Sequence, residues 1–477
     1  MHRVATLYSA RPGTRWYLMN VLLISTYEMG RQPFGLASPA AWLRQAGAKV
    51  RTLDLSQQPL DECAVSSADI IAFYLPMHTA TRIAARAIQR VRVLNTAAHL
   101  CCYGLYAPMN EAFLRSMGVQ TVFGGEFELP MVSLFERLMA RTSSLSTAAL
   151  EQPEPLISLA RQQFVVPDRE GLPPLAKYAS LSLPDGTSRT VGYTEASRGC
   201  KYKCRHCPIV PVYGGQFRIV QSDIVLEDIR RQVEAGARHI TFGDPDFFNG
   251  IKHSIRIVTA LHQMDPSLTY DVTIKVEHLL KHARHLELLK QTGCAFVTTA
   301  VESFDDRVLM LFDKGHTAAD FTTILQRARE IGLILVPTFV AFHPWMTLKS
   351  YEEFLETILL LDLVENVSPV QLAIRLLIPS GSYLLGVPEI GQVIGPFDEG
   401  ALSYSWSHPD PGVDALQLDL ECLVQDAAKS GAGRRTIFDL VWRRLQRELG
   451  DPGKPLPAVQ PGRPRATIPY LEEPWYC

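Results

Sequence analysis

A chain of 477 residues is long enough for two or three domains, each with a core of its own. Hydrophobic residues make up 47%, charged residues 20%, and the formal net charge is -2, which leaves neither the basic field of a nucleic-acid binder nor the acidic excess of a disordered chain. An odd count of nine cysteines and the lack of any run of about eighteen apolar residues argue against a disulfide scaffold and a membrane span, so a cytoplasmic protein with a small-molecule or peptide partner is expected.

Residues 1–18 read as an extension, with Met19 as an alternative start. From Asn20 short apolar strands (21–25, 49–53, 70–74, 99–103, 119–123) alternate with helical segments (37–45, 79–93, 107–117, 127–141). That rhythm predicts a doubly wound parallel α/β sheet of Rossmann-like type over 19–142, with ligands at the strand C-terminal ends. His78 and His99 near strand ends read as structural histidines, and Cys101 and Cys102 as buried thiols of a central strand.

Residues 143–189 break the periodicity at Ser143-Ser-Leu-Ser-Thr147 and Gly171-Leu-Pro-Pro174 and read as a connector. A second alternating series follows, with strands over 190–196, 239–243, 269–275, 295–301, 333–341 and 370–377. Helices fall between them, over 223–235, 252–264, 278–291, 304–330 and 349–363. Six such strands predict a partial TIM-like barrel over 190–395 with its reactive face at the strand C-terminal ends. From 396 the chain turns helical, over 415–429 and 436–449, and then enters a tail with five prolines between 451 and 464.

The loop after the first barrel strand reads Cys200-Lys-Tyr-Lys-Cys204-Arg-His-Cys207. A C-x3-C-x2-C spacing lets one loop wrap a cubane iron-sulfur cluster with three thiolates and leaves one iron without a protein ligand. A zinc knuckle would carry a second ligand pair, and none stands nearby; His206, directly beside Cys207, is badly placed as a fourth ligand.

Ser197-Arg-Gly-Cys200-x3-Cys204-Arg-His-Cys207-Pro208 closely resembles the cluster loop of radical S-adenosylmethionine (radical SAM) enzymes. The resemblance implies a [4Fe-4S] cluster on Cys200, Cys204 and Cys207 with SAM chelating the fourth iron. It also implies reductive cleavage of SAM to a 5'-deoxyadenosyl radical, and an electron donor such as ferredoxin or flavodoxin. His206 fills the place where the family carries an aromatic residue near the adenine.

Other strand ends match the family's SAM-holding stretches. Gly243-Asp244-Pro245-Asp246 stands where relatives receive the SAM amino group, with Asp244 the chosen carboxylate. Thr298-Thr-Ala-Val-Glu302-Ser303, followed by Lys314-Gly315, resembles the stretch near the ribose and methionine moiety. Lys275 and Arg375 are cations on predicted barrel strands, each either a partner of the SAM carboxylate or half of a salt bridge to a neighbouring loop. His343-Pro-Trp345 is a candidate substrate contact.

The N-terminal domain resembles the cobalamin-binding domains that precede many radical SAM domains, through Tyr103-Gly104-Leu-Tyr-Ala107 and Gly124-Gly125-Glu126-Phe-Glu128. The Asp-x-His-x-x-Gly motif of that family, whose histidine takes the lower axial position of cobalt, is absent. Either cobalamin binds without a protein histidine, or the domain has lost it and only packs against the barrel. The last residues, Leu471-Glu-Glu-Pro-Trp-Tyr-Cys477, resemble tails of radical SAM proteins of unassigned substrate that continue through cysteine or selenocysteine to Ala-Glu-Pro. That match implies a UGA codon after Cys477 and a redox role for its thiol; the alternative is an ordinary terminal cysteine.

Two function classes remain. One is radical catalysis on an unactivated carbon, with methylation the outcome if cobalamin is bound and peptide modification or rearrangement if it is not. The other is an iron-sulfur electron-transfer or sensor protein without SAM turnover.

Overall fold

The computed structural model describes residues 19–142 and 153–457. The extension 1–18, the start of the connector and the tail from 458, with Cys477, lie outside the described residues. The first unit alternates β1 (Asn20–Ser25), α1 (Phe34–Gln45), β2 (Lys49–Asp54), α2 (Glu62–Ser67), β3 (Ile70–Tyr74), α3 (His78–Leu94), β4 (His99–Tyr103), α4 (Glu111–Ser116), β5 (Thr121–Gly125) and α5 (Glu128–Thr142). Its strands run parallel in the order β2-β1-β3-β4-β5, with β6 (Ile157–Ser158) on the edge. Helices cover both faces, so the middles of β1 and β3 are apolar: Leu22, Ile24 and Phe73 enter one core, Val21, Leu23 and Ala72 the other. The order reverses between β1 and β3, which opens a crevice at the loops that follow them.

The second unit begins with β7 (Ser180–Ser182) and β8 (Ser188–Thr194). The cluster loop is then framed by the antiparallel pair β9 (Ser197–Gly199) and β10 (Phe217–Ile219), with α6 (Val210–Tyr213) between them. There follow α7 (Ser222–Glu234), β11 (His239–Phe242), α8 (Ile251–Met264), β12 (Thr269–Thr273), α9 (Val276–Lys281), α10 (Leu286–Gln291) and β13 (Cys294–Glu302). The series ends with α11 (Asp306–Leu311), α12 (Ala318–Glu330), β14 (Leu335–Phe339) and α13 (Leu348–Leu360). The sheet order is β14-β13-β12-β11-β8-β7, parallel except for β7.

The expected sixth barrel strand over 370–377 does not form. Pro369 opens a 3-10 turn through Leu372, and only the bridge between Phe342 and Arg375 remains of the pairing. Gln371 supplies the missing acceptor with its side chain, taking the Phe339 N–H at 2.8 Å. The expected helix over 304–330 is also interrupted, by a turn from Phe312 to Thr317 that carries Lys314. The connector, by contrast, is ordered where described. It lends β6 to the first sheet and β7 to the second, and Arg169 donates to Asp228 at 3.0 and 3.2 Å.

The C-terminal region starts with the hairpin of β15 (Ile394–Asp398) and β16 (Ser403–Trp406). Helices α14 (Pro411–Lys429) and α15 (Arg434–Glu448) then bury Leu416, Leu420 and Trp442 in the barrel core. Among the described residues no helix is long and apolar enough to cross a membrane.

Candidate functional site

The cluster loop leaves β9 at Gly199, whose φ of 72° is a left-handed conformation that glycine adopts without strain. Asn249 braces its start, accepting from Lys201 N at 3.3 Å and donating to the Gly199 carbonyl at 3.3 Å. Its middle is tied to α11, because Arg205 N donates to the Phe312 carbonyl at 2.9 Å and the Arg205 guanidinium reaches the Leu311 carbonyl at 3.0 Å. Cys204 is buried, while Cys200 and Cys207 are partly exposed.

Burial pushes the Cys207 thiol up to about 12 and raises Cys200 as well. The thiolate is the metal-binding form, so a cluster bound here would displace protons. Among the described residues no three or more His, Cys, Asp or Glu side chains gather closely enough to hold one metal ion. In a cubane each thiolate takes a different iron, and three cysteines on one loop are a donor set of iron-sulfur type.

Beside the thiols lies a buried ionic knot. Glu302, at the end of β13 with φ 71°, holds Lys314 Nζ and His206 Nε2 each at 3.1 Å on one oxygen. Burial raises the Glu302 carboxyl, but Lys314 and then His206 outweigh it and hold it far below the usual range. The His206 ring packs on Phe312, with centroids 4.5 Å apart. Lys275 sits just before α9, donating to Glu277 at 3.0 Å with its ammonium 3.6 Å from the Tyr202 ring centre.

The other expected SAM residues are placed less directly. Gly243 packs under the Tyr193 phenol. Asp244 spends its oxygens on Ala196 N at 2.9 Å and Ser197 Oγ at 2.5 Å, and burial pushes its carboxyl up to about 7. Ser303 lines a hollow of about 260 Å³ with Glu302 and His343. Arg375 is engaged by Asp414, in the first turn of α14, at 2.7 Å and by the Trp406 carbonyl at 2.7 Å, a salt bridge to a helix of the C-terminal region.

Between the C-terminal edges of the two sheets lies a cleft of about 510 Å³. Tyr74, Met77, Leu105 and Phe127 wall it from the first unit; Tyr193, Asp244 and Thr273 do so from the barrel. Arg198, two residues before Cys200, fastens the halves together. It donates to Glu128 at 2.6 and 2.8 Å across the boundary and to Glu195 at 2.6 Å. Nothing in the sequence marked Arg198 or Glu128 as partners, although both stand within the motifs quoted above.

The residues read as cobalamin contacts fall mostly behind this cleft. Tyr103 is buried with its hydroxyl on the Gly35 carbonyl at 2.8 Å. A side chain on Gly104, at φ 109°, would meet the Leu75 carbonyl at 2.9 Å, and one on Gly124 the Pro108 ring at 2.5 Å. Gly125 borders the cleft but backs onto the Ser158 carbonyl. Glu126 joins Arg198 and Tyr213, and burial pushes its carboxyl up to about 7. Among the described residues no histidine lines the cleft; His78 lies on the Ala401 carbonyl and His99 on Thr121.

A family model described as the radical SAM superfamily matches residues 194–361. Among curated proteins, the hopanoid C-3 methylase of Methylococcus capsulatus is 24% identical over 332 residues, covering 66% of this chain and 62% of that protein. An uncharacterized methyltransferase of Pyrococcus horikoshii is 26% identical over 203 residues, 42% of each chain. Among solved structures, the cobalamin-dependent SAM radical enzyme OxsB, with aqua-cobalamin and SAM bound, has a TM-score of 0.64 at 14% identity over 90% of this chain and 72% of that one. The radical SAM methyltransferase TsrM from Kitasatospora setae, with tryptophan and a SAM analogue, has a TM-score of 0.57 at 18% identity over 72% of this chain and 71% of that one. These structural likenesses establish the two-unit fold. The cysteine loop at the barrel mouth and the match around it agree: residues 194–361 of this chain form a radical SAM domain.

Proposed function

We propose that this chain is a SAM-cleaving radical enzyme that modifies an unactivated carbon of a small-molecule or peptide substrate, with methylation as the outcome when cobalamin occupies the interdomain cleft. The observation that carries the reading is the cysteine loop beside the Glu302 knot, held by Arg198 so that its barrel mouth and the crevice of the first sheet share one space. Cys200, Cys204 and Cys207 would hold a [4Fe-4S] cluster, which when reduced by a ferredoxin or flavodoxin would supply the electron for SAM cleavage.

The protein's own residues prepare that step. Asn249 and Arg205 fix the loop; His206 and Phe312 offer ring surfaces beside the third cysteine; Lys275 offers a cation to the SAM carboxylate. The names of the methylase relatives support methylation as the outcome. A second reading, cobalamin-free modification, is favoured by Gly104, Gly124 and Gly125, whose bare faces are filled by protein.

Anaerobic reconstitution with SAM bearing a deuterated methyl group tests both. Transfer of the heavy methyl group only when hydroxocobalamin is added supports the first reading. Product without label and without cobalamin supports the second.

A further inference from the structure

Next to the first cysteine the surface carries positive charge that the chain leaves unmatched. Lys201, the residue after Cys200, is half-buried; Lys281, which ends α9, and Arg284, in the 3-10 turn that follows, are exposed. Lys203, exposed just before Cys204, adds a fourth cation to the loop. Among the described residues none of these four forms an ion pair with a carboxylate, because the nearby carboxylates are spent. Glu277 takes Lys275 and the Tyr202 hydroxyl, each at 3.0 Å, and buried Asp246 takes His278 at 2.6 Å. Glu287, in the first turn of α10, adds one exposed negative charge.

The cations of this face act on one another. Burial lowers the Lys201 ammonium below the usual lysine range, and Lys281 lowers it further against the pull of Asp246. Burial, with His278, Lys281 and Lys201, lowers His282 in the same way. Elsewhere exposed cations are matched: Arg230 and Arg231 meet Glu227, and Arg444 meets Asp419 and Glu448. The whole chain has a net charge of -2, so this patch is not part of a general basic surface. Like charges gathered on one face repel, and an oppositely charged partner relieves that repulsion and is steered towards it.

We propose that the face formed by Lys201, Lys281 and Arg284 docks an acidic electron-donor protein, and that the electron enters beside Cys200. One electron would leave the reduced centre of the donor and enter the cluster, with no bond made or broken. The docking rests on the proposed function, which supplies the need for a donor. None of the three residues lines the interdomain cleft, so a donor seated here leaves that cleft open. A short patch suits the acidic rim around a flavin or iron-sulfur centre, whereas a nucleic acid needs a longer basic track along its phosphates.

The test is calorimetric titration of the reconstituted full chain with an acidic flavodoxin. It is paired with stopped-flow reduction of the cluster by that flavodoxin in its hydroquinone form and by reduced methyl viologen, a small cation. Flavodoxin association is expected to weaken on the order of tenfold between about 50 and about 300 mM salt, and by a similar factor in Lys281→Glu/Arg284→Glu. Reduction by flavodoxin should slow in that variant, and reduction by methyl viologen should not.

On the wild type alone, binding that is absent at low salt or insensitive to salt overturns the assignment, whatever the variant's folding. So does flavodoxin binding unchanged in the folded variant, or an equal slowing with both reductants. Tighter binding of an oligouridine RNA than of flavodoxin also overturns it and makes the face an RNA site. Formation of 5'-deoxyadenosine with methyl viologen as reductant reads the radical chemistry separately. Its presence without salt-sensitive docking sinks only the docking face, and docking without it sinks only the radical reading.

Discussion

Arg198 and Glu128 meet across the domain boundary in a bidentate pair at 2.6 and 2.8 Å, so the residue two places before Cys200 is gripped by the first turn of α5 in the other unit. Both side chains are buried, and Ser38 and Gln162 complete the Glu128 oxygens. The geometry of the cluster loop is thereby tied to the docking of the N-terminal sheet.

Removing that cation leaves Glu128, Glu126 and Glu195 buried without a counter-charge. Arg198→Met is expected to cost about 3–5 kcal/mol in urea or thermal unfolding, the scale of a broken buried pair. Iron loading should fall with it. Arg198→Lys restores the charge but not the two-pronged contact, and should recover only part of the stability.

Lys314→Met strips the ammonium from Glu302 while leaving His206 in place. The buried carboxylate then loses its main partner, and destabilisation of about 3 kcal/mol is expected by chemical denaturation. Reconstituted protein should also bind SAM more weakly by equilibrium dialysis, because His206 and Glu302 stand beside the third cysteine.

Asp244 makes stability depend on pH in a stated direction. Its folded value of about 7 lies above the ordinary carboxyl value near 4, so the folded state holds the proton more tightly than the unfolded state. An acid raised in this way favours folding below its unfolded value and loses that contribution as pH rises towards its folded one. Relative to Asp244→Asn, the wild type should lose on the order of 2–4 kcal/mol between about pH 4 and pH 7 and change little above. Glu126, raised to about 7 as well, adds a second slope of the same sign. Denaturation midpoints across that window check it; a difference that is flat or reversed contradicts the assignment.

Much of this architecture was legible because strand and helix periods are strong signals. The five parallel strands of each unit lie where apolar runs were bounded by glycine and polar turns. The sixth barrel strand was misread because 370–377 is apolar enough for a strand, while Pro369 and the Gln371 side chain decide otherwise in three dimensions. The cysteine spacing marks the candidate metal loop in sequence, yet the supports of that loop are long-range: Asn249 to Gly199, Arg205 to Leu311, Arg198 to Glu128.

The central claim is tested most directly by anaerobic incubation of the reconstituted, dithionite-reduced protein with SAM, followed by quantification of 5'-deoxyadenosine. The wild type is expected to form it, and Cys204→Ser to lose both cluster iron and product while keeping its fold by circular dichroism. A fully loaded wild-type cluster that yields no 5'-deoxyadenosine, with or without hydroxocobalamin, would contradict radical SAM catalysis and leave an electron-transfer or sensing role.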